Sequence, residues 1–175
     1  ALTAYGNAYG TVFQIVDDIL DITATEEQLG KPAGHDIVEG VYTLPVLRTL
    51  ALGSPASDEL ADLLGSPLDA AAQDKALAIL RSNDGLASSI ETAQDYVDRA
   101  ISACDGFADS PATDALRAAP GALIASVSVA VCVLVVLCGY DPVTRELAKI
   151  APPGVLEGIV SFGIWDHFRS LNSGL

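Results

Sequence analysis

The sequence predicts an all-α fold, and three of its features carry that prediction. Half of the 175 residues are hydrophobic while only 6% are aromatic, and a chain rich in Ala and Leu suits helices better than strands. Apolar residues recur at steps of three and four, the spacing of one helix face. Clusters of Gly, Ser and Pro separate these segments, as turns separate helices. The length permits one domain with a core of its own.

The first predicted helix covers residues 1–21. Gly6 and Gly10 each lower its stability by about 1 kcal/mol relative to Ala, so we expect a neighbouring helix or a substrate to approach the backbone there. A loop rich in polar and turn-forming residues follows over 22–41. Further helices are predicted over 42–52, 58–64 and 68–81. A longer helix is predicted to follow, with Asp84 as its N-cap. The apolar stripe of this last helix consists of Leu86, Ile90, Ala93, Val97, Ala100, Ile101 and Cys104.

Three carboxylates interrupt the apolar run at the end of the first helix: Asp17, Asp18 and Asp21. Asp17 and Asp21 lie one helical turn apart on the same face, and Asp18 is offset by one residue. Burying such charges without a partner costs on the order of several kcal/mol each. Oxygen ligands without sulfur or imidazole suit a hard divalent cation, with Mg²⁺ as the leading candidate. A solvated acidic face is the alternative interpretation.

Lys31 follows the carboxylates in a Gly-Lys-Pro context that disfavours a helix. Lysine binds phosphate well, and Mg²⁺ commonly bridges one or two carboxylates to substrate phosphates. Acids, metal and lysine together describe a diphosphate-binding site. Within the helix, Gln14 needs a polar partner, and the residue type of Phe13 favours the core over a ligand contact.

Two motifs in fixed order extend this pattern: YGxxxGxxFQIxDDxxD over residues 5–21 and GKxxGxDxxxGxxTLP over residues 30–45. They resemble the second aspartate-rich region of the trans-type polyprenyl diphosphate synthases. The resemblance is dense over residues 5–48 and loose over 49–117. It implies the C-terminal portion of a large antiparallel helix bundle of the isoprenoid synthase type, with the active site at the centre of the bundle. The chain lacks methionine and the family's first acidic motif, so we expect part of a longer synthase that is inactive alone.

The implied activity is the Mg²⁺-dependent condensation of an allylic prenyl diphosphate with isopentenyl diphosphate, in an enzyme that is usually a homodimer. The resemblance assigns metal binding to Asp17, Asp18 and Asp21, and a diphosphate contact to Lys31. It places Phe13 and Gln14 beside the allylic substrate, and it gives Gln14, Lys31 and Asp36 catalytic roles. The side chain of Asp36 would hold Lys31 or a metal-bound water. Val41 stands where many members carry a second lysine. Lys31 would therefore be the one lysine of this region that contacts the diphosphate.

Two alternatives stay open beside this function. A class I terpene cyclase would share the metal site, although such cyclases usually carry a differently spaced Asn/Ser/Glu triad. A truncated, non-catalytic subunit of a heteromeric prenyl synthase would explain the absence of the first acidic motif. The intact second motif argues against this alternative, because a gene that had long been non-functional would have accumulated substitutions in the motif.

Residues 118–175 differ in character from the predicted synthase portion over 1–117. The 23 residues from 118 to 140 carry no charge, and 122–138 is almost wholly apolar, long enough for a membrane span of about 20 residues. Three interpretations stay open for this tail: a buried terminal helix, a membrane anchor, or translation in a wrong frame after about residue 120. The expected location is cytoplasmic, with membrane association through 122–138 if the run is an anchor.

Charge and cysteine usage exclude other classes of protein. The net charge is −14, which argues against nucleic-acid binding because a basic surface would be required. Cys104, Cys132 and Cys138 lack CxxC spacing and nearby histidines, so neither a zinc site nor a disulfide framework is predicted.

Overall fold

The computed structural model of the protein describes residues 1–24 and 33–138, with side chains described as far as Val127. The regular structure in these residues is helical, as the sequence predicts. In chain order the helices are α1 (Leu2–Thr23), α2 (His35–Val38), α3 (Leu44–Ala51), α4 (Pro55–Leu64), α5 (Ala70–Arg81), α6 (Asp84–Ser102) and α7 (Pro111–Cys138). The predicted loop over 22–41 therefore includes a one-turn helix, α2, which is too short to show a hydrophobic period in the sequence.

Polar side chains fix the residues at which three of these helices begin. Ser54 forms a reciprocal capping box with Ser57 at the start of α4, because each hydroxyl accepts a hydrogen bond from the other residue's N–H. Asp69 caps α5 through its side chain. The prediction that Asp84 caps α6 is wrong: Asn83 is the cap, and Asp84 occupies the first turn, where a negative charge suits the helix dipole.

The main core lies where α1 and α7 pack against α6. Its residues are at successive turns of each helix, so one face of each is excluded from water. They are Val12, Ile15, Val16 and Ile19 of α1, Leu86, Ile90, Ala93 and Val97 of α6, and Ile124 and Val127 of α7. The predicted stripe on α6 is thus largely confirmed. Burial of each large side chain contributes about 1.5–3 kcal/mol, so this contact fixes the position of α1.

Two apolar residues expected in the core lie on the surface of the described structure. The side chain of Ile101 is 36% exposed, because its neighbour Ala100 takes the buried position against Tyr5 and Ala8 of α1. Phe13 is 57% exposed, because it follows Val12 on α1 and points away from α6. Residue type alone therefore gave the wrong environment for both residues.

A second apolar cluster surrounds the C-terminal end of α1, and half of its buried residues come from α5. It contains Ile22, Ile37, Val46, Leu60, Ala76, Leu77, Ile79 and Leu80. Because Ile37 belongs to α2, the cluster ties the segment that follows residue 32 back onto α1. The acidic end of α1 therefore packs against α5 through apolar side chains.

Helices α3 and α6 approach each other closely at Gly85. A Cβ atom at this position would lie 2.6 Å from the backbone nitrogen of Thr49 and 2.8 Å from its Cα. Backbone atoms cannot yield as a flexible side chain can, so only glycine permits this packing. The Thr49 hydroxyl oxygen lies 2.9 Å from both the Pro45 carbonyl oxygen and Asn83 Oδ1, which share its single proton. The contact with Asn83 joins α3 to the cap of α6.

Helix α7 runs without interruption from Pro111 to Cys138 and includes Pro120. It therefore crosses the boundary at residue 118 that the change in composition predicts, and Ile124 and Val127 belong to the main core. The side chains of residues 128–138 and all of residues 139–175 lie outside the described structure. The three interpretations of the tail, including membrane association through 122–138, stay predictions.

Candidate functional site

Asp18 is a buried carboxylate at the centre of the acidic end of α1. Its side chain is 7% exposed, and its Oδ1 accepts a hydrogen bond of 2.7 Å from Gln14 Nε2, one turn earlier. Burial raises the pKa of Asp18 above the usual carboxyl value, and the charges of Asp36 and Asp17 raise it further, while Gln14 and the backbone N–H of Leu44 oppose the increase. The predicted need of Gln14 for a polar partner is confirmed.

Asp21 lies one turn beyond Asp18 and is 5% exposed. The backbone N–H of Asp36 donates to Asp21 Oδ2 at 3.1 Å, and the N–H of Gly34 donates to the Asp21 carbonyl at 2.7 Å. Two hydrogen bonds thus attach the turn before α2 to one residue of α1. Sequence reasoning gave Asp36 a role through its carboxylate, whereas this contact uses its main chain.

Asp17 is exposed, unlike the other two acids. A step of three residues separates Asp18 from Asp21, so they share the inner face of α1, whereas the sequence reasoning paired Asp17 with Asp21. Asp17 instead borders the exposed face that includes Phe13, and Leu2 on the same side of α1 is 66% exposed.

One strip of the exposed side of α1 carries no polar side chain and lacks side-chain bulk at two positions. A Cβ atom added at Gly6 or at Gly10 would meet no atom within 4 Å, so no described helix approaches either glycine. The expectation that a neighbour or a substrate approaches them stays a prediction. We call the surface formed by Leu2, Gly6, Gly10 and Phe13 the open face of α1.

The acidic residues fit a divalent cation in their donor chemistry. Their ligand atoms are carboxylate oxygens, as hard cations prefer, and the desolvated charge of Asp18 beside Asp17 and Asp36 favours a positive neighbour. No group of three or more His, Cys, Asp or Glu side chains within the described ranges could hold a metal ion by itself. That result is compatible with Mg²⁺, which is often held by one or two carboxylates together with substrate phosphates.

Lys31 lies in the segment 25–32, outside the described residues. Its predicted contact with a diphosphate therefore stays a prediction. The flanking residues Ala24 and Ala33 are described: Ala24 N–H donates to the Leu20 carbonyl, and the Ala33 carbonyl accepts from Gln73 of α5.

The sequence analysis assigned no functional residue to 49–117 and missed two polar contacts from α5 to the acidic end of α1. Gln73 Nε2 donates to the Ala33 carbonyl at 2.7 Å, and Arg81 Nε donates to the Ile22 carbonyl at 2.7 Å. It also missed the backbone N–H of Leu44, at the start of α3, which faces Asp18. One available signal was the spacing of Gln73, Leu77 and Arg81 at intervals of four, which places them in a row on one face of α5.

Comparison with known proteins bears on this arrangement. A model of the family described as polyprenyl synthetase matches residues 1–80, which contain both motifs. Residues 1–80 are therefore similar in sequence to the polyprenyl synthetase family. The matched stretch contains Gln14, Asp17, Asp18, Asp21, Lys31 and Asp36.

Several polyprenyl diphosphate synthases resemble the chain. Heptaprenyl diphosphate synthase component 2 of Geobacillus stearothermophilus is 38% identical over 113 residues, which are 65% of this chain and 35% of the relative. A probable mitochondrial hexaprenyl pyrophosphate synthase of Neurospora crassa is 42% identical over 115 residues, 64% of this chain and 24% of the relative. The chain thus spans about a third or less of the length of the curated relatives it matches.

A solved structure shares the fold. It is a geranylgeranyl pyrophosphate synthase from Corynebacterium glutamicum complexed with calcium and isoprenyl diphosphate. The TM-score is 0.66 at 37% identity, and the match covers 72% of this chain and 39% of the other. The described residues therefore form part of the helical bundle of the isoprenoid synthases, as predicted.

The structure also bears on the predicted membrane association. Within the described residues, no helix is both long enough and apolar enough to cross a membrane.

Proposed function

We propose that the chain forms one wall of the active site of a polyprenyl diphosphate synthase, which condenses an allylic prenyl diphosphate with isopentenyl diphosphate. The observation that carries the proposal is the hydrogen bond from Gln14 to the buried Asp18, beside Asp17 and Asp21, in a segment that matches the polyprenyl synthetase family. Prenyltransferase activity is the activity of the named relatives, and calcium and isoprenyl diphosphate accompany the solved one. Here the cation would be Mg²⁺.

The described side chains have separate roles in this proposal. Gln14 holds Asp18 in a fixed orientation, and the Asp36 amide does the same for Asp21. Asp17 presents an exposed carboxylate beside them. Such pre-positioned charges lower the barrier because they need no rearrangement during the reaction. Mg²⁺, when bound, neutralises the negative charge that develops on the departing diphosphate.

The open face of α1 supports the same proposal, because it offers an apolar surface for the hydrocarbon part of the substrate. Leu2, Gly6, Gly10 and Phe13 continue along the helix from the acidic end, and the two glycines leave free space above the backbone. A prenyl diphosphate has one charged end and one hydrocarbon end. An acidic, cation-binding end next to an apolar face matches both parts of such a substrate.

The test places the whole chain in the context of a complete enzyme. The 175 residues replace the matching segment of the Corynebacterium glutamicum synthase, and we call the product the grafted synthase. We expect it to incorporate radiolabelled isopentenyl diphosphate into prenyl products. Asp17→Ala and Lys31→Ala should each lower turnover about 100-fold or more, the loss that follows removal of one electrostatic stabiliser.

The matched control is Asp62→Ala, which removes an exposed acid of α4 and should leave turnover unchanged. Titration calorimetry adds an independent result: Mg²⁺ should bind tightly only with pyrophosphate present. Equal, weak heats with and without pyrophosphate, or full turnover by Asp17→Ala, would contradict the proposal. Turnover by the isolated chain at the rate of the grafted synthase would show that the active site lies elsewhere.

A second candidate is a subunit of a heteromeric synthase located in the cytoplasm. The name of the Geobacillus stearothermophilus relative includes component 2, and the open face of α1 offers a surface for another polypeptide. In this case activity would need a different partner chain, whereas a homodimer would need only a second copy. Mass measurement of the active grafted synthase distinguishes the two.

A further inference from the structure

Three residues of α5 form a row that contacts the acidic end of α1 and the turn attached to it. Gln73, Leu77 and Arg81 are spaced by four and lie on one face of the helix. Gln73 Nε2 donates to the Ala33 carbonyl, and Arg81 Nε donates to the Ile22 carbonyl, each at 2.7 Å. We call these three residues the α5 row. The α5 row therefore contacts the chain on both sides of residues 25–32, at Ile22 before them and at Ala33 after them.

The turn held by Gln73 is the one that orients Asp21. This turn, here taken as residues 33–36 and thus including the first two residues of α2, supplies the Gly34 N–H to the Asp21 carbonyl at 2.7 Å and the Asp36 N–H to Asp21 Oδ2 at 3.1 Å. The two amides fix the main chain and the carboxylate of Asp21 together. A displacement of the turn would therefore change the direction in which this carboxylate points.

Packing adds to the hydrogen bond from Gln73. Gly34 has a φ of 75°, a conformation that favours glycine, and a Cβ there would lie 3.0 Å from the nearest atom of Leu77. Ile37, which directly follows the turn, is buried in the same cluster as Leu77. The turn is thus in close contact with α5 at two neighbouring points, Gln73 and Leu77.

We propose that Gln73 is a positioning residue for the Asp21 carboxylate and acts through the turn 33–36. The proposal deepens the proposed function and rests on it, because Asp21 is one of the acids assigned to the cation and the diphosphate. Partners that orient a metal-ligating carboxylate commonly change metal affinity by 10- to 100-fold when removed. Gln73 neither touches the substrate nor supplies a ligand in this scheme.

The test uses Gln73→Met, which keeps the length of the side chain and removes the donor. In the 175-residue chain without metal, we expect faster amide hydrogen exchange at Asp36, because the turn is no longer held to α5. In the grafted synthase we expect the Mg²⁺ concentration for half-maximal binding with pyrophosphate to rise about tenfold. Affinity for the allylic hydrocarbon, measured with a prenyl alcohol, should stay unchanged.

The matched control is Gln94→Met on α6, where the glutamine bonds to the exposed Asp98. It should change neither exchange at Asp36 nor the Mg²⁺ dependence. If wild-type grafted synthase shows no pyrophosphate-dependent Mg²⁺ binding, the proposed function fails. If it does bind and Gln73→Met matches wild type in both measurements, only the positioning role is overturned.

Discussion

The hydroxyl of Tyr5 donates a hydrogen bond of 2.9 Å to the carbonyl oxygen of Leu116. That oxygen lies four residues before Pro120, inside α7. In a regular helix it would accept the N–H of residue 120, which proline lacks. Tyr5 therefore supplies from α1 the donor that Pro120 removes from α7, and the pairing joins the two helices at the point where α7 has lost a bond of its own.

Tyr5→Phe should destabilise the chain because it leaves the Leu116 carbonyl without this donor. We expect a loss of about 1–2 kcal/mol in the free energy of unfolding. The same substitution in a Pro120→Ala background should cost clearly less, since the backbone of the introduced alanine supplies the missing N–H. Urea unfolding of the four proteins of this double-mutant cycle gives the coupling directly.

Tyr9→Phe is the matched control for this cycle. Its ring stacks on that of Tyr5 at a centroid distance of 5.7 Å, but no hydrogen bond of its hydroxyl is seen in the described part of the chain. It should therefore change stability by less than about 0.5 kcal/mol. Equal costs for Tyr5→Phe with and without Pro120 would show that the two residues are independent.

Gly85→Ala should destabilise the chain strongly because its Cβ would meet the backbone of Thr49 at 2.6 Å. Helices α3 and α6 must separate to admit it, and overpacking of this kind costs about 1–3 kcal/mol. Gly6→Ala is the counterpart, since its Cβ meets nothing within 4 Å. It should stabilise α1 by up to about 1 kcal/mol. Thermal unfolding that ranks the two variants in the opposite order would contradict this packing.

Asp18→Asn should stabilise the chain at neutral pH while weakening Mg²⁺-pyrophosphate binding by the grafted synthase. Burial raises the pKa of Asp18 above the ordinary value of 3.8, so the ionised form is disfavoured in the folded state. The gain from Asn should be full above the raised pKa. It should shrink as pH falls toward 3.8, where the native aspartate is itself protonated.

Denaturant midpoints measured at about pH 7 and about pH 4 check this dependence. Asp62→Asn serves as the control, because Asp62 is an exposed acid of α4 and its replacement should change stability by less than about 0.5 kcal/mol. A gain from Asp18→Asn that is the same at both pH values would show that desolvation of the charge is not its cause.

The open face of α1 should make the isolated chain associate. Phe13 and Leu2 expose 57% and 66% of their surface, and exposed apolar patches favour protein–protein contact. Phe13→Ser should therefore raise the concentration at which association begins in sedimentation experiments. Leu52→Ser, at the exposed end of α3, is the control and should have a smaller effect. Equal effects would mean that association does not use α1.

The sequence by itself determined the helical class, the order of the longer helices as far as α6, and the acidic end of α1. Apolar residues at steps of three and four on α6 and the carboxylates at Asp17, Asp18 and Asp21 are local patterns, and local patterns define which faces must be buried. The motifs over 5–21 and 30–45 likewise indicated the family that residues 1–80 match, because motifs depend on residue order alone.

Only the tertiary structure decided how these faces are used. It buried Asp18 and Asp21 and exposed Asp17 and Phe13, since the position of α6 selects the inner side of α1. It gave Asp36 a main-chain contact, which no side-chain pattern encodes. It brought Gln73 to a turn forty residues earlier in the chain and Tyr5 to a carbonyl one turn before Pro120. Such contacts join residues distant in sequence, and their geometry exists only once the helices have packed.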